Sequence, residues 1–328
     1  MNVKKHPYSI LSVLLLILVM MAFISLGVGA VYTSPVEVFT NLIGKSQSNH
    51  FILFNYRIPR MLLAVIVGAS LAVSGAILQG ILKNPLASPD VIGVTKGSGL
   101  FAVAVLIIFP GASMVALPFS AFLGAAVIAI ALMLFSYTQG TKTHSLALIG
   151  VALGAICQAG IQYFMIKFPD NVNTTLLWLT GSLWGRGWNE MWFLIPCLVL
   201  IPLIIIFTSK LDILNLGDEM AVGLGERIKY VRYTLLSISV ILTGASVAVV
   251  GSIGFIGLIS PHVGRRLVGS RSKFLLPVSA LIGALFLLLA DTVGRGIVPP
   301  IEIPAGIVTA IIGAPYFLYL LRREQKNK

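Results

Sequence analysis

Charge is scarce in this chain, and acidic charge most of all. Only 10% of its 328 residues are charged, with 11 aspartates and glutamates against 23 lysines and arginines. A water-soluble domain usually carries about 25% charged residues, so water cannot be the solvent for most of this surface. The shortage of carboxylates also argues against hydrolytic chemistry. No pair of them stands at helical spacing deep in an apolar run, and neither G-x-S-x-G nor H-E-x-x-H occurs. Cysteine is nearly absent too. Cys157 and Cys197 lie inside apolar runs and read as small buried hydrophobes rather than a disulfide or metal pair. The four histidines, His6, His50, His144 and His262, show no metal-ligand spacing, so neither metal nor cofactor is expected. The phosphate-binding pattern G-x-x-x-x-G-K-[ST] is missing as well; VTKGSG (94–99) has neither the leading glycine spacing nor the Lys-Ser/Thr ending. If ATP powers this protein, another subunit binds it.

Apolar residues, by contrast, make up 57% of the chain. They fall in runs of roughly 20, long enough to cross a bilayer as helices. The runs do not alternate as the strands of a membrane barrel would. The expected class is an all-α polytopic membrane protein, a single domain over 1–328. The net charge of +12 fits basic cytoplasmic loops better than nucleic acid, which is not expected as a partner. The N-terminal MNVKK precedes an apolar run longer than the roughly 7–15 residues of a signal h-region, so that run reads as the first membrane helix.

Ten helices are expected near 10–31, 59–82, 91–110, 114–136, 145–167, 190–208, 231–250, 252–268, 274–294 and 304–321. With the N-terminus inside, most lysines and arginines fall on the cytoplasmic side. Lys45, Arg57, Arg60, Lys167, Arg186 and Arg295 fall outside. This asymmetry predicts both termini in the cytoplasm and an even number of spans. Two segments, GASLAVSGAI (68–77) and GASVAVVGSI (244–253), match at seven of ten positions. They sit in helices of opposite predicted direction, the pattern of an inverted repeat common in transporters.

The acids nearest the membrane are Asp90, Asp291 and Glu302. The span centres are almost free of charge, whereas an ion-coupled carrier usually keeps ionisable groups there. That weakens the alternative of a secondary transporter acting without an ATPase. Asp291 stands four residues before Arg295 and could pair with it. The longest internal polar segment, KLDILNLGDEMAVGLGERIKYVR (210–232), reads as one or two short amphipathic helices broken at Gly217 and at Gly223 or Gly225, with Leu211, Ile213, Leu214 and Leu216 able to dock on a partner.

Four stretches carry a family likeness: RIPRMLLAVIVGASLAVSGAILQGILKNPLASPDVIGVTKGSG (57–99), GSIGFIGLISPHVGRRLVG (251–269), LLLADTVGR (287–295) and EIPAGIVTAIIGAPYFLYLL (302–321). In this order they resemble the iron-siderophore and vitamin B12 ABC importer permeases, the FecCD-type transmembrane subunits. The resemblance implies a permease of the bacterial cytoplasmic membrane with ten helices per subunit. It implies a second permease subunit, identical or paralogous, two ATPase subunits and an external solute-binding protein, with a ferric siderophore or similar chelate as cargo. Helices five and ten would line the channel between subunits, and transport would proceed by alternating access. By the same resemblance Arg57, Arg60 and Arg295 would dock the binding protein, and arginine suits carboxylate partners. Asp218, Glu219, Ala221, Gly223 and Gly225 would couple to the ATPase, and Thr143 and His144 fall on cytoplasmic gate positions. His144 departs from the small hydroxyl residue expected there.

Overall fold

A computed structural model describes residues 6–45, 49–113, 115–138 and 143–326. Within helices, only the backbone is described at 136–138, 143–144, 320–321 and 323–326. The long helices are α1 (Pro7–Gly27), α2 (Ile58–Ile81), α3 (Val94–Ile108), α4 (Ala116–Thr138), α5 (Thr143–Lys167), α6 (Ile195–Leu203), α7 (Ile228–Val250), α8 (Ile256–Val268), α9 (Ser272–Gly296) and α10 (Ala305–Lys326). Among the described residues, seven helical stretches are long and apolar enough to cross a membrane, and Val94–Ile108 and Ala305–Tyr319 are shorter apolar helices.

Local chemistry explains where elements depart from the apolar runs. The run at 190–208 is α-helical only over Ile195–Leu203, with 3-10 turns on either side. Pro202 lies inside that helix and cannot donate to the carbonyl four residues back. The eighth helix begins at Ile256, later than the run suggests, because Gly251 (φ 77°) and Phe255 (φ 68°) both take left-handed backbone. After α1, Ser34 caps the short helix Pro35–Leu42. Its hydroxyl accepts from the Glu37 N–H at 3.3 Å, and the Glu37 carboxylate accepts from the Ser34 N–H at 2.9 Å, a reciprocal capping box.

The core is built around α2, most of which is buried. It packs against α9, α7 and α8. Glycine makes this possible at two levels. A Cβ at Gly68 would lie 2.3 Å from the Gly283 carbonyl oxygen of α9, and one at Gly75 would lie 1.9 Å from that of Gly257 in α8. Backbones touch at both places, as small residues allow in apolar surroundings. Between α2 and α7 the glue is polar: the Ser74 hydroxyl lies 2.7 Å from both Ser239 Oγ and Thr243 Oγ1.

These contacts fix direction. Ser74 of α2 meets Ser239 and Thr243 of α7; Lys83, just past α2, and Arg232 near the start of α7 share Asp218. Positions rise along α2 as they fall along α7, so the two helices run antiparallel. The matching segments use their shared glycines differently. Gly75 is a contact point inside α2, whereas its counterpart Gly251 ends α7 in left-handed backbone.

Candidate functional site

At one end of α2, three arginines from distant parts of the sequence come together. Arg57 closes a π-helical turn (Leu53–Arg57) that leads into α2. Its guanidinium is buried. It donates to Leu26 O at 2.6 Å, to Thr33 Oγ1 at 2.9 Å and to Val31 O. Arg295, in the last turn of α9, is buried as well and donates to Val28 O at 3.0 Å and Ser25 O at 3.1 Å. The last carbonyls of any helix lack an intrahelical donor and carry the negative end of its dipole. Arg57 and Arg295 supply those donors and positive charge to the end of α1, which they bind onto the bundle.

Arg60 does something different. Its Nε and Nη2 donate to the Asp291 carboxylate at 3.0, 3.1 and 2.7 Å, and Nη1 donates to Glu302 at 2.8 Å. Asp291 is only 2% exposed. Arg295 Nε also lies 3.1 Å from Asp291, an ion pair without hydrogen-bond alignment. The expected Asp291–Arg295 pair therefore forms, but as one side of a larger network. That network ties α2, α9 and the segment before α10. Glu302 and Arg60 form its exposed edge, with side chains 24% and 12% accessible.

The three arginines, expected on one side of the membrane, do lie at the same end of α2. The structure shows that most of their donors are taken up internally. The missed partners are Asp291 and Glu302, which stand 231 and 242 positions from Arg60. A carboxylate at a helix end and an arginine at another helix end were visible separately; nothing in one sequence says that they meet.

At the other end of α2 lies the helix Asp218–Gly223, preceded by Thr208–Asn215. Gly217 (φ 119°) and Gly225 (φ 82°) break the chain on either side. Asp218 begins the helix and accepts from Lys83 Nζ at 2.8 Å and from Arg232 Nη2 at 3.1 and 3.2 Å. Partial burial pushes the Asp218 carboxyl up, but Lys83 and Arg232 outweigh it and hold the group below its usual range. Ala221 is fully buried, while Glu219, Gly223 and Gly225 face outward. Of the leucines thought free to dock, Leu211 and Leu214 pack into the chain's own core, Leu211 against Gly80 of α2. The apolar side chains left exposed are Leu216, Met220, Val222 and Leu224. The expected gate residues Thr143 and His144 open α5, but their side chains lie outside the described residues.

An all-helical bundle of apolar spans, with a buried ion-pair network at one end and a glycine-hinged helix at the other, defines a polytopic membrane permease. The FecCD transport family model matches residues 15–323, and the chain belongs to that family. It is 56% identical over 326 residues to the Fe(3+)-citrate import system permease protein YfmE of Bacillus subtilis (strain 168), covering 99% of this chain and 98% of that protein. It is 46% identical over 278 residues to the Fe(3+) dicitrate transport system permease protein FecD of Escherichia coli (strain K12), covering 84% and 87%. Among solved structures, an inward-facing metal-chelate type ABC transporter superposes with a TM-score of 0.85 at 34% identity, covering 96% of this chain and 99% of that one. The protein is thus a multi-pass transport subunit of the bacterial cytoplasmic membrane and not an enzyme; in such importers ATP hydrolysis resides on a separate subunit.

Proposed function

We propose that this chain is the membrane channel subunit for uptake of a ferric hydroxycarboxylate chelate, ferric citrate in the first instance. The observation that carries the reading is near-full-length similarity, at 56% and 46% identity, to two permeases named for that cargo. Ten membrane spans with both termini cytoplasmic agree with the charge bias, and α3, α8 and α10 would complete the seven apolar spans. The channel forms between two permease subunits, and α5 and α10 leave large apolar side chains such as Leu148, Ile166 and Ile311 uncovered for that contact. Two ATPase subunits dock at the Asp218 end, against Met220, Val222 and Leu224.

A solute-binding protein docks at the Arg57, Arg60 and Arg295 end. Its carboxylates compete with Asp291 and Glu302 for Arg60, the guanidinium nearest the surface, while Arg57 and Arg295 hold the platform through α1. Asp218 transmits ATPase motion through Lys83 to α2 and through Arg232 to α7; Glu219, Ala221, Gly223 and Gly225 shape the helix that receives it. Thr143 and His144 form the cytoplasmic gate.

Uptake of radioactive iron supplied as citrate tests this. Deletion of the gene abolishes ATP-dependent uptake, and restoring it on a plasmid recovers the loss. Unchanged uptake in the deletion strain, with no second citrate system present, refutes the cargo assignment.

A further inference from the structure

The loop carrying Arg186 has no role in the reading above. It runs between the helix Val172–Leu179 and the 3-10 turn Trp188–Leu194. Three hydrogen bonds pin it: Ser182 N–H to Val250 O at 2.7 Å, Gly306 N–H to Gly181 O at 3.0 Å, and Trp188 Nε1–H to Phe54 O at 2.8 Å. Arg186 is thereby held in the wall of a cavity of about 630 Å³ at the arginine end of the bundle, together with Trp178, Ser182, Trp184 and Glu302. That volume lies within the roughly 300–1,000 Å³ of small-molecule sites.

The Arg186 side chain is only 23% exposed. Among the described residues its guanidinium makes no hydrogen bond. The nearest carboxylate oxygen, on Glu190, lies 4.0 Å away, and Glu190 accepts instead from the Gly187 N–H at 2.7 Å. Arg186 Nε is buried with no partner among the described residues. Trp178 is 8% exposed, and its indole N–H is likewise buried and unpartnered among them. A guanidinium offers five donors, and leaving buried donors unmatched is costly.

We propose that this cavity is a transient subsite for an anionic, carboxylate-rich ferric chelate, occupied before the chelate enters the channel. The proposal rests on the importer reading above. Arg186 supplies the charge and fork geometry that carboxylate prefers. Trp184, largely exposed, supplies an apolar face. Glu302, on the same wall, is already paired with Arg60 at 2.8 Å. Glu190 forms only a loose ion pair with Arg186 at 4.0 Å and does not line the cavity, so among the lining residues Arg186 is the cation whose donors stay open to an occupant. A single carboxylate side chain from a docking protein would fill only a small part of this volume, which favours a small molecule as occupant.

The test uses the purified permease–ATPase complex in nanodiscs, titrated with ferric citrate in the absence of a binding protein. All four tryptophans of the chain lie between 178 and 192, and two of them, Trp178 and Trp184, line the cavity, so bound ferric ion quenches the permease's intrinsic fluorescence. Saturable quenching is expected in the natural protein. Arg186→Gln shifts half-saturation about tenfold or more upward, Arg186→Lys by less, and Thr174→Phe, which narrows the cavity without touching the charge, weakens binding as well. A neutral ferric hydroxamate quenches weakly. No quenching in the natural protein, equal quenching by the hydroxamate, or an unchanged Arg186→Gln titration overturns the subsite. So does an Arg186→Gln defect confined to capture of the binding protein. ATP-driven uptake of ferric citrate by the full importer in proteoliposomes separates the two readings. No uptake by the natural complex refutes the importer reading, whereas normal uptake with no cavity binding refutes the subsite alone.

Discussion

Replacing Asp291 with asparagine keeps the side chain's shape and removes its charge. The structure gives the size of the effect. Asp291 is 2% exposed and accepts three close contacts from Arg60 at 2.7–3.1 Å, with Arg295 Nε a further 3.1 Å away. Breaking a buried ion pair from one side costs about 3–5 kcal/mol, because the partner stays buried without compensation. Here two guanidiniums lose their shared anion. Arg60 keeps Glu302, and Arg295 keeps two carbonyls, so the lower end applies, about 3 kcal/mol. That is roughly a 100-fold change in the folded-to-unfolded ratio. The assay is thermal unfolding of the detergent-solubilised protein followed by size-exclusion chromatography, with Tm lowered by about 4 °C. A double-mutant cycle with Arg60→Gln reports the coupling directly, and the paired variant recovers part of the loss. A Tm within a degree of the natural protein, or no coupling in the cycle, refutes the claim that this network holds α2 to α9.

Three further outcomes follow from the same geometry. Asp218→Asn removes a carboxylate that is 44% exposed but pairs with Arg232, whose side chain is 1% exposed, so stability falls by about 1–3 kcal/mol, and import drops several-fold while ATP hydrolysis by the complex continues; proportional loss of both activities refutes a transmitting role. Because the Asp218 carboxyl is held below its usual range, its contribution is complete above that range and fades only as pH falls through the depressed value. Co-elution of permease and ATPase therefore stays constant from pH 8 to 5, and dissociation centred between pH 5 and 6 contradicts this. Gly75→Ala sets a methyl carbon 1.9 Å from the Gly257 oxygen, costing about 3 kcal/mol or more; a normal yield of folded protein in the membrane counts against backbone contact between α2 and α8.

The helices were legible because burial in lipid and in the bundle both demand long apolar runs. Their ends were less so. Pro202 and the left-handed Phe255 reshape segments whose composition alone is uniformly apolar. Charge counting grouped Arg57, Arg60 and Arg295 by side, because side is what loop charge records. It could not record that Arg57 faces the end of α1, 31 residues earlier in the chain, or that Arg60 pairs 231 and 242 residues away. Arg186 was counted with the same group. The clustering of all four tryptophans between 178 and 192 is the signal in the sequence that this loop lines something.

The helix α2 has no proline beyond its first turn, and its 24 residues form a rod about 36 Å long. One end grips the Arg60 network and the other leads to Lys83 on Asp218, while Gly68 and Gly75 press it against α9 and α8 partway along. A rod clamped near its middle pivots like a beam balance. A tilt of 5° moves each tip by about 1.5 Å in opposite directions, enough to break a hydrogen bond at one membrane face while making one at the other.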